Sequence, residues 1–258
     1  MPRPTVLTSG IASGCSGMQP KRRASILPDG RVGLISRRAL VIGGLAGVVG
    51  AGRARSAGAA TAVVFPTAAG NRRFSVLYGG NKIGTHTVSF ASAGGDAKVG
   101  TEIHLQVKGF FGGSLFLFTH SCQETWRGGQ LMNLVADTME EGEALHVEGA
   151  ATSQGFRVVS KGGPFIAAAA TLTSNSLWTP AVLEQATVVD AQHGGVIGVS
   201  SHKSAAEQIA VAGRQVQATP YTFITPYLGG TIWYDAGGLW VAGAFELGGA
   251  KIQYQLDS

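Results

Sequence analysis

The sequence has few cysteines and, beyond its first third, few basic residues close together. Its two cysteines are Cys15 and Cys122, and no pair of neighbouring basic residues follows Arg72 and Arg73. If the segment before residue 60 is removed, a single thiol remains and no intramolecular disulfide can form. Binding of nucleic acid requires a basic surface that displaces counterions, so nucleic acid is excluded as a partner.

A long apolar run is also missing. A membrane-spanning helix needs about 20 apolar residues, whereas ALVIGGLAGVVGA at residues 39–51 is shorter and interrupted by glycine. It follows Arg37 and Arg38 and precedes small residues, which is the layout of an export signal, and the arginine pair favours the twin-arginine route. We expect a twin-arginine-type signal peptide at residues 35–59, cleaved near Ala59, and a periplasmic protein with no stable membrane anchor; the alternative is an exposed Gly-rich tail.

The remaining division of the chain follows from this signal. Residues 1–34 are predicted to be a disordered extension or an over-extended start, residues 60–72 a linker, and residues 73–258 a single β domain. Residues 1–59 hold nine of the 20 Lys and Arg and one of the 15 Asp and Glu. Their removal leaves 11 basic and 14 acidic residues, so the mature chain is expected to be weakly acidic.

From Arg73 onward, apolar and polar residues alternate with period two between Gly-rich turns. Segments such as FSVLY, KIGTHTVSF and AKVGTEIHLQVK predict short antiparallel strands joined locally. The exception is SNSLWTPAVLEQA, in which Thr179 can cap a helix and Pro180 can occupy its first turn. We predict an all-β fold, a single curled antiparallel meander forming a half-open barrel, with one short helix near residues 179–186. This helix is either a lid on the open side or an ordinary crossover packed on the core.

Several motifs of this region are similar to those of a known protein family. FSVLYGGNKIGTHTVSF, ETWRGGQL, SLWTPAVLEQ and WYDAGGLWVAGAFELGGAKIQYQL resemble an uncharacterised family of exported bacterial all-β proteins, known only as a domain of unknown function. The resemblance covers roughly Arg73 to Leu256. It implies a shape similar to the half-barrels of periplasmic lipoprotein carriers, and it implies no activity and no catalytic residues.

Alternation along residues 114–126 assigns one set of side chains to the interior. This set is Phe116, Phe118, His120, Cys122, Glu124 and Trp126. His86 of KIGTHTVSF is expected beside it. A Cys/His pair can form a thiolate nucleophile, so the catalytic candidates are His120, Cys122, Glu124 and His86. The alternative is an inert buried cysteine next to one satisfied polar pair.

Other catalytic and metal-binding templates are missing. The chain has no GxSxG, no Walker loop, no GxGxxG between a strand and a helix, and no CxxC, HxH or HExxH. We therefore predict no metal and no cofactor. Whether the protein is an enzyme stays open, with a non-catalytic role favoured.

Aromatic residues favour the binding of an apolar molecule. Phe110 and Phe111 lie at a Gly-flanked turn, where they contact lipid, a partner or the mouth of the domain, or else fold back over the core. The leading hypothesis is a periplasmic non-catalytic binding or carrier protein for an apolar or amphipathic ligand such as a lipid. The alternatives are an enzyme using Cys122 and His120 in the barrel interior, and a structural subunit of an envelope complex with an unknown partner protein. The predicted ligand contacts are Phe116, Phe118, Trp126, Trp178 and Trp233.

Overall fold

The computed structural model describes residues 24–26, 32–34, 63, 65, 70–108, 114–247 and 250–257. The chain forms two compact units, residues 1–36 and 37–258. The first contains an antiparallel pair of three-residue strands, β1 (Ala24–Ile26) and β2 (Val32–Leu34), within the predicted extension. The predicted signal peptide with its cleavage site, and both Phe110 and Phe111, lie outside the described residues. These stay predictions, as does the division of the chain before residue 73.

The second unit is built on one 14-stranded sheet in which every paired strand is antiparallel. Tight turns with glycine at positive φ, such as Gly128 and Gly129 between β6 and β7, join neighbouring strands. The strands are β3 (Arg72–Tyr78), β4 (Asn81–Ala93), β5 (Asp96–Lys108), β6 (Ser114–Arg127), β7 (Gln130–Glu140), β8 (Glu143–Thr152), β9 (Gly155–Val159), β10 (Phe165–Ala167), β13 (Ser200–Lys203), β14 (Glu207–Val211), β15 (Arg214–Ile224), β16 (Gly229–Asp235), β17 (Trp240–Leu247) and β18 (Ala250–Leu256).

The order of the strands shows how the chain runs through the sheet. The order is β10-β9-β8-β7-β6-β5-β4-β3-β18-β17-β16-β15-β13, and β14 also pairs with β15. The chain therefore proceeds from β3 out to β10, crosses to β13, and returns to β18, where Leu256 lies opposite Phe74 of β3. The two ends of the sheet do not pair with each other among the described residues. The predicted all-β meander, curled but not closed, is confirmed.

Residues 168–199, here called the crossover segment, connect β10 to β13. They contain two 3₁₀ helices, Ser176–Trp178 and Pro180–Glu184, and a small sheet of β11 (Thr187–Val189) and β12 (Val196–Gly198). Thr179 caps the second helix because its hydroxyl accepts a hydrogen bond from the Ala181 N–H, and Pro180 fills the first turn. The short helix predicted near residues 179–186 is present, but it has the tighter 3₁₀ geometry.

The core lies between the crossover segment and one face of the sheet, which we call the inner face. The sheet contributes Trp126 and Trp240, the crossover segment contributes Trp178, and each of the three is at most 2% exposed. Full burial of a large apolar side chain stabilises a fold by about 1.5–3 kcal/mol, so the crossover segment is a packed part of the domain. In the part of the chain that the structure describes, no helix has the length and apolarity needed to cross a membrane.

Candidate functional site

The inward-facing side chains of β6 run along the middle of the inner face. Phe118, His120, Cys122, Glu124 and Trp126 are all buried, and Phe116 is half-buried. This is the set that the alternation of the sequence assigns to the interior. In the neighbouring strands, Ile103 lies opposite both His120 and His86. The two histidines therefore flank Ile103 in one row, about two strand spacings or 10 Å apart.

His120 is hydrogen-bonded on both sides of its ring. Its Nδ1 lies 2.8 Å from the Thr138 hydroxyl on β7, and its Nε2 lies 2.8 Å from the amide nitrogen of Asn175 in the crossover segment. Burial lowers the pKa of His120 to about 4, although Asp190 favours the charged form. His120 is therefore neutral near pH 7, with both nitrogens occupied.

Glu124 is a buried acid that also holds the crossover segment. The Thr173 hydroxyl donates to one of its oxygens at 2.5 Å, and the Trp126 indole N–H donates to the other at 3.1 Å. Burial raises the pKa of Glu124 to about 7, and the contacts from Thr173, Trp126 and Trp178 oppose this rise. Trp178 also acts on this carboxylate, but its Nε1 atom has no partner at hydrogen-bond geometry within the described ranges. Glu124 is therefore close to half-protonated at neutral pH.

Cys122 does not have the surroundings of a nucleophile. Its side chain is 1% exposed, and burial, with a smaller contribution from the Glu124 charge, raises the pKa of the thiol far above its usual value. His120 lies two residues away on the same strand, about 6.6–6.8 Å along it, and its nitrogens are already hydrogen-bonded elsewhere. The thiolate that a nucleophilic mechanism needs is strongly disfavoured here.

His86 differs from His120 in its hydrogen bonds. It is 3% exposed, and neither of its ring nitrogens has a hydrogen-bond partner among the residues that the structure describes. Three aromatic rings surround it, with ring centroids at 5.1 Å for Trp240, 5.7 Å for Tyr254 and 6.4 Å for Phe74. We call these four residues the histidine box. Burial, with a smaller effect from His120, lowers the pKa of His86 to about 3.

A second aromatic group lies where the crossover segment meets β4 and β6. We call it the aromatic cluster; its members are Phe65, Phe90, Trp126 and Trp178. The rings of Trp126 and Trp178 meet edge to face at 5.8 Å, and Phe90 approaches Trp178 at 5.6 Å. Phe65, from the predicted linker before β3, contacts Trp126 at 5.7 Å and Trp178 at 5.3 Å. Its ring therefore packs against both a strand and the crossover segment, and we call the place that it occupies the slot.

Comparison with known proteins agrees with the family suggested by the sequence motifs. A family model described as "Domain of unknown function (DUF6134)" matches residues 74–257. The chain belongs to this family. No protein among the curated sequences matches it. A crystal structure of a beta-barrel-like protein of the domain of unknown function DUF1849 from Brucella abortus is similar, with a TM-score of 0.53, 10% sequence identity, and coverage of 72% of this chain and 94% of the other. At this identity the likeness shows the fold alone.

The DUF6134 domain separates the predicted ligand contacts. Trp126 and Trp178 come together in the aromatic cluster, whereas Phe116 and Phe118 stack on each other at 6.5 Å further along β6, beside His120. Trp233 lies on the outer face, where its indole N–H donates to Glu207 at 2.7 Å, because the flanking Ile232 and Tyr234 face inward. It is therefore not part of the inner-face site.

The outer face carries two grooves, one of about 490 Å³ across β4 to β8 and one of about 290 Å³ across β7 to β9. The first is lined mainly by polar side chains such as Thr85, Glu102 and Asp137, and the second by both polar and apolar ones, such as Arg157 and Val135. Among the described residues no group of three His, Cys, Asp or Glu side chains has the arrangement of a metal site. The grooves therefore offer neither an apolar pocket nor a metal centre.

The sequence did not predict three residues of the crossover segment and the linker that contact the inner-face side chains. These are Phe65, Thr173 and Asn175. Asn175 and Thr173 lie 55 and 49 residues from His120 and Glu124 along the chain. One available signal was the polar residues in TLTSNSLW, since polar side chains in a buried crossover need partners.

Proposed function

We propose that this DUF6134 protein is an exported, non-catalytic binding or carrier protein for an apolar or amphipathic ligand such as a lipid. The ligand is held on the inner face, between the sheet and the crossover segment. The observation that carries the proposal is the contact of the Phe65 ring with both Trp126 and Trp178. Phe65 is not part of the sheet, so its ring can leave the slot without the loss of any strand pairing. If the Phe65 ring moves away, the slot can accept an apolar ligand about as thick as that ring.

The states of the polar side chains favour binding over catalysis. His120 and Glu124 each have one hydrogen bond with the crossover segment, and their other hydrogen-bonding atoms pair with side chains of the sheet. The Cys122 thiol is buried, and its raised pKa disfavours the thiolate. These observations support a pocket shaped by aromatic residues rather than the enzyme hypothesis based on Cys122 and His120.

The export part of the proposal rests on the arginine pair and the apolar run after it. The test is to express the full chain in a bacterial host with the twin-arginine pathway and to sequence the N-terminus of the periplasmic product. We expect a start close to Ala60, and we expect replacement of Arg37 and Arg38 by lysine to keep the chain in the cytoplasm. A full-length cytoplasmic product from the unaltered sequence contradicts export.

The binding part is tested with the exported protein. Organic-solvent extraction and mass spectrometry report any retained lipid, and titration with the apolar dye N-phenyl-1-naphthylamine reports a saturable site. Since Phe65 competes for the slot and burial of one large apolar side chain is worth about 1.5–3 kcal/mol, Phe65→Ala is expected to tighten dye binding about tenfold or more. Phe165→Ala, the same change at another half-buried phenylalanine outside the aromatic cluster, is the matched control.

Two results would overturn the binding proposal. One is the lack of both an extractable lipid and a saturable dye site in the unaltered protein. The other is equal dye affinity for the unaltered protein and Phe65→Ala, with thermal unfolding showing that both are folded. The second result would mean that Phe65 is a permanent part of the core.

A further inference from the structure

The histidine box contains a polar group that the described residues do not satisfy. His86 is 3% exposed, and in the part of the chain that the structure describes neither Nδ1 nor Nε2 has a hydrogen-bond partner. Its ring contacts there include the aromatic side chains of Phe74, Trp240 and Tyr254. Leaving a buried donor or acceptor unsatisfied costs about 1–3 kcal/mol, and most buried polar atoms in folded proteins have partners. A histidine in this state among three aromatic rings therefore points to a bound partner.

The charge state of His86 restricts the chemistry of that partner. Burial lowers the pKa of His86 to about 3, so the ring is neutral at neutral pH. A neutral imidazole offers one N–H donor and one acceptor nitrogen. His120, whose charge contributes to this lowering, is also neutral near pH 7. The His86 ring therefore brings no charge that would compensate a charged ligand group buried against it, which makes such burial costly.

The face of β4 connects the histidine box with the aromatic cluster. His86, Val88 and Phe90 point to the same face, and His86 and Phe90 are four residues, or about 13 Å, apart along the strand. Val88 between them is buried and apolar, and Phe90 contacts Trp178 of the cluster. A chain-like molecule that lies along β4 can therefore reach both places, with its apolar part in the slot occupied by Phe65.

We infer that His86 is the polar anchor of the site, and that the ligand is an apolar molecule bearing one uncharged hydrogen-bonding group, a hydroxyl or an amide. This inference rests on the proposed function, because it names the class of ligand for the same inner-face site. The hydroxyl accepts from the protonated ring nitrogen or donates to the other one, while Phe74, Trp240 and Tyr254 enclose the adjoining carbon atoms. Because His86 is buried in this structure, entry of the ligand requires the Phe74 and Trp240 rings, stacked at 4.1 Å, to separate.

One cation on the same face provides a competing anchor for a different ligand. Arg72 lies opposite Val88, one row from His86, and its Nε is buried with no hydrogen-bond partner among the described residues. A carboxylate ligand would be expected at Arg72 rather than at His86. The test must therefore separate neutral from anionic head groups.

The experiment uses three probes with the same chain length, namely 1-decanol, decyl methyl ether and decanoate. Each competes with N-phenyl-1-naphthylamine for the full chain after export, as unaltered protein, His86→Phe and His104→Phe. His104 is the matched control because it is exposed on the outer face of β5. One hydrogen bond is worth about 0.5–1.5 kcal/mol, so we expect His86→Phe to bind decanol about 3- to 10-fold more weakly than the unaltered protein and His104→Phe do. The ether can only accept a hydrogen bond, so a loss of affinity for decanol alone means that the hydroxyl donates to His86. Decanoate is expected to bind more weakly than decanol to all three proteins, because its charge has no compensating partner at His86.

A measurement on the unaltered protein keeps the inference testable if His86→Phe fails to fold. With ¹⁵N-labelled histidine, saturating decanol is expected to shift the imidazole nitrogen signals of His86, assigned by their loss in His86→Gln. The signals of His104 are expected to stay in place.

The outcomes distinguish this inference from the proposed function. If no probe displaces the dye and no dye binds, the proposed function itself fails. If each probe has the same affinity for the unaltered protein and for His86→Phe, and the His86 signals do not move, the site exists but His86 is not its anchor. A trapped water then satisfies the ring. Preferential binding of decanoate, lost in Arg72→Gln, would also overturn the inference.

Discussion

Asn175 of the crossover segment donates a hydrogen bond to Nε2 of His120 on the inner face of β6, across 2.8 Å. With Nε2 as the acceptor, the proton of the neutral ring lies on Nδ1, which donates to the Thr138 hydroxyl at 2.8 Å. The Thr138 hydroxyl in turn donates to the Gln192 carbonyl at 3.4 Å. This relay of hydrogen bonds begins and ends in the crossover segment. His120 therefore connects the crossover segment to the sheet at two points.

Removal of the first link in this relay tests its contribution to stability. Asn175→Ala is expected to lower the free energy of unfolding by about 1–3 kcal/mol, because the buried Nε2 of His120 loses its donor. Urea unfolding followed by tryptophan fluorescence measures the change. Asn133→Ala, at an exposed position of β7, is the control and should stay within about 0.5 kcal/mol. Equal stabilities of Asn175→Ala and the control would show that the hydrogen bond is dispensable.

Glu124 predicts a pH dependence of stability with a definite sign. Its folded-state pKa is raised from 4.5 to about 7, so between these values the folded state binds the proton more tightly than the unfolded state. Stability therefore falls as the pH rises from about 4.5 to 7, by roughly 3 kcal/mol from the pKa difference. Glu124→Gln, which cannot ionise, should remove this part of the slope in urea unfolding between pH 4.5 and 8. Glu102→Gln, at an exposed position of β5, is the control. If the slope of stability against pH is unchanged in Glu124→Gln, the raised pKa of Glu124 is not its cause.

His193 predicts a pH dependence in a higher range. Its ring contacts Asp190 at 3.0 Å and Glu140 of β7 at 3.2 Å, and hydrogen bonds to these carboxylates raise the pKa of His193 to about 10. The stabilisation is complete below the unfolded pKa of about 6.5 and is lost as the pH rises through the folded value. Because the side chain is 40% exposed, we expect less than about 1 kcal/mol.

The measurement compares the unaltered protein with His193→Gln in urea unfolding at pH 6, 8 and 10. The difference in stability between them should be largest at pH 6 and vanish towards pH 10. His202→Gln, at an exposed position of β13, is the control. A difference that grows with pH would mean that the ion pairs do not stabilise the folded state.

The reactivity of Cys122 tests the argument against a thiolate nucleophile. The side chain is 1% exposed and burial raises the pKa of its thiol. Iodoacetamide at pH 7.5 is therefore expected to modify Cys122 more slowly than an exposed cysteine introduced by Ser92→Cys, by at least a factor of about 100, since access then depends on opening of the fold. Site-resolved mass spectrometry measures both rates in one molecule. Rapid alkylation of Cys122 in the folded state would contradict this argument and support the enzyme hypothesis.

Much of the fold was predictable because the information is local. Alternation with period two predicts which side chains of β6 face inward, and the burial of Phe118 and Trp126 follows it. The capping pair Thr179 and Pro180 likewise predicts the short helix. Alternation divides the side chains of a strand into two faces, but it does not say which face meets the core. Trp233 is predicted as a ligand contact, whereas Ile232 and Tyr234 occupy the inner face of β16.

The sequence by itself determined the antiparallel meander, because hydrophobic periodicity and glycine turns act over a few neighbouring residues. The tertiary structure alone decided which buried polar side chains are satisfied. His120 receives its donor from Asn175, 55 residues away, while His86 receives none from the residues that the structure describes. The two histidines have the same place in the alternation, and they differ because partners for a buried group come from whichever distant segment packs over it.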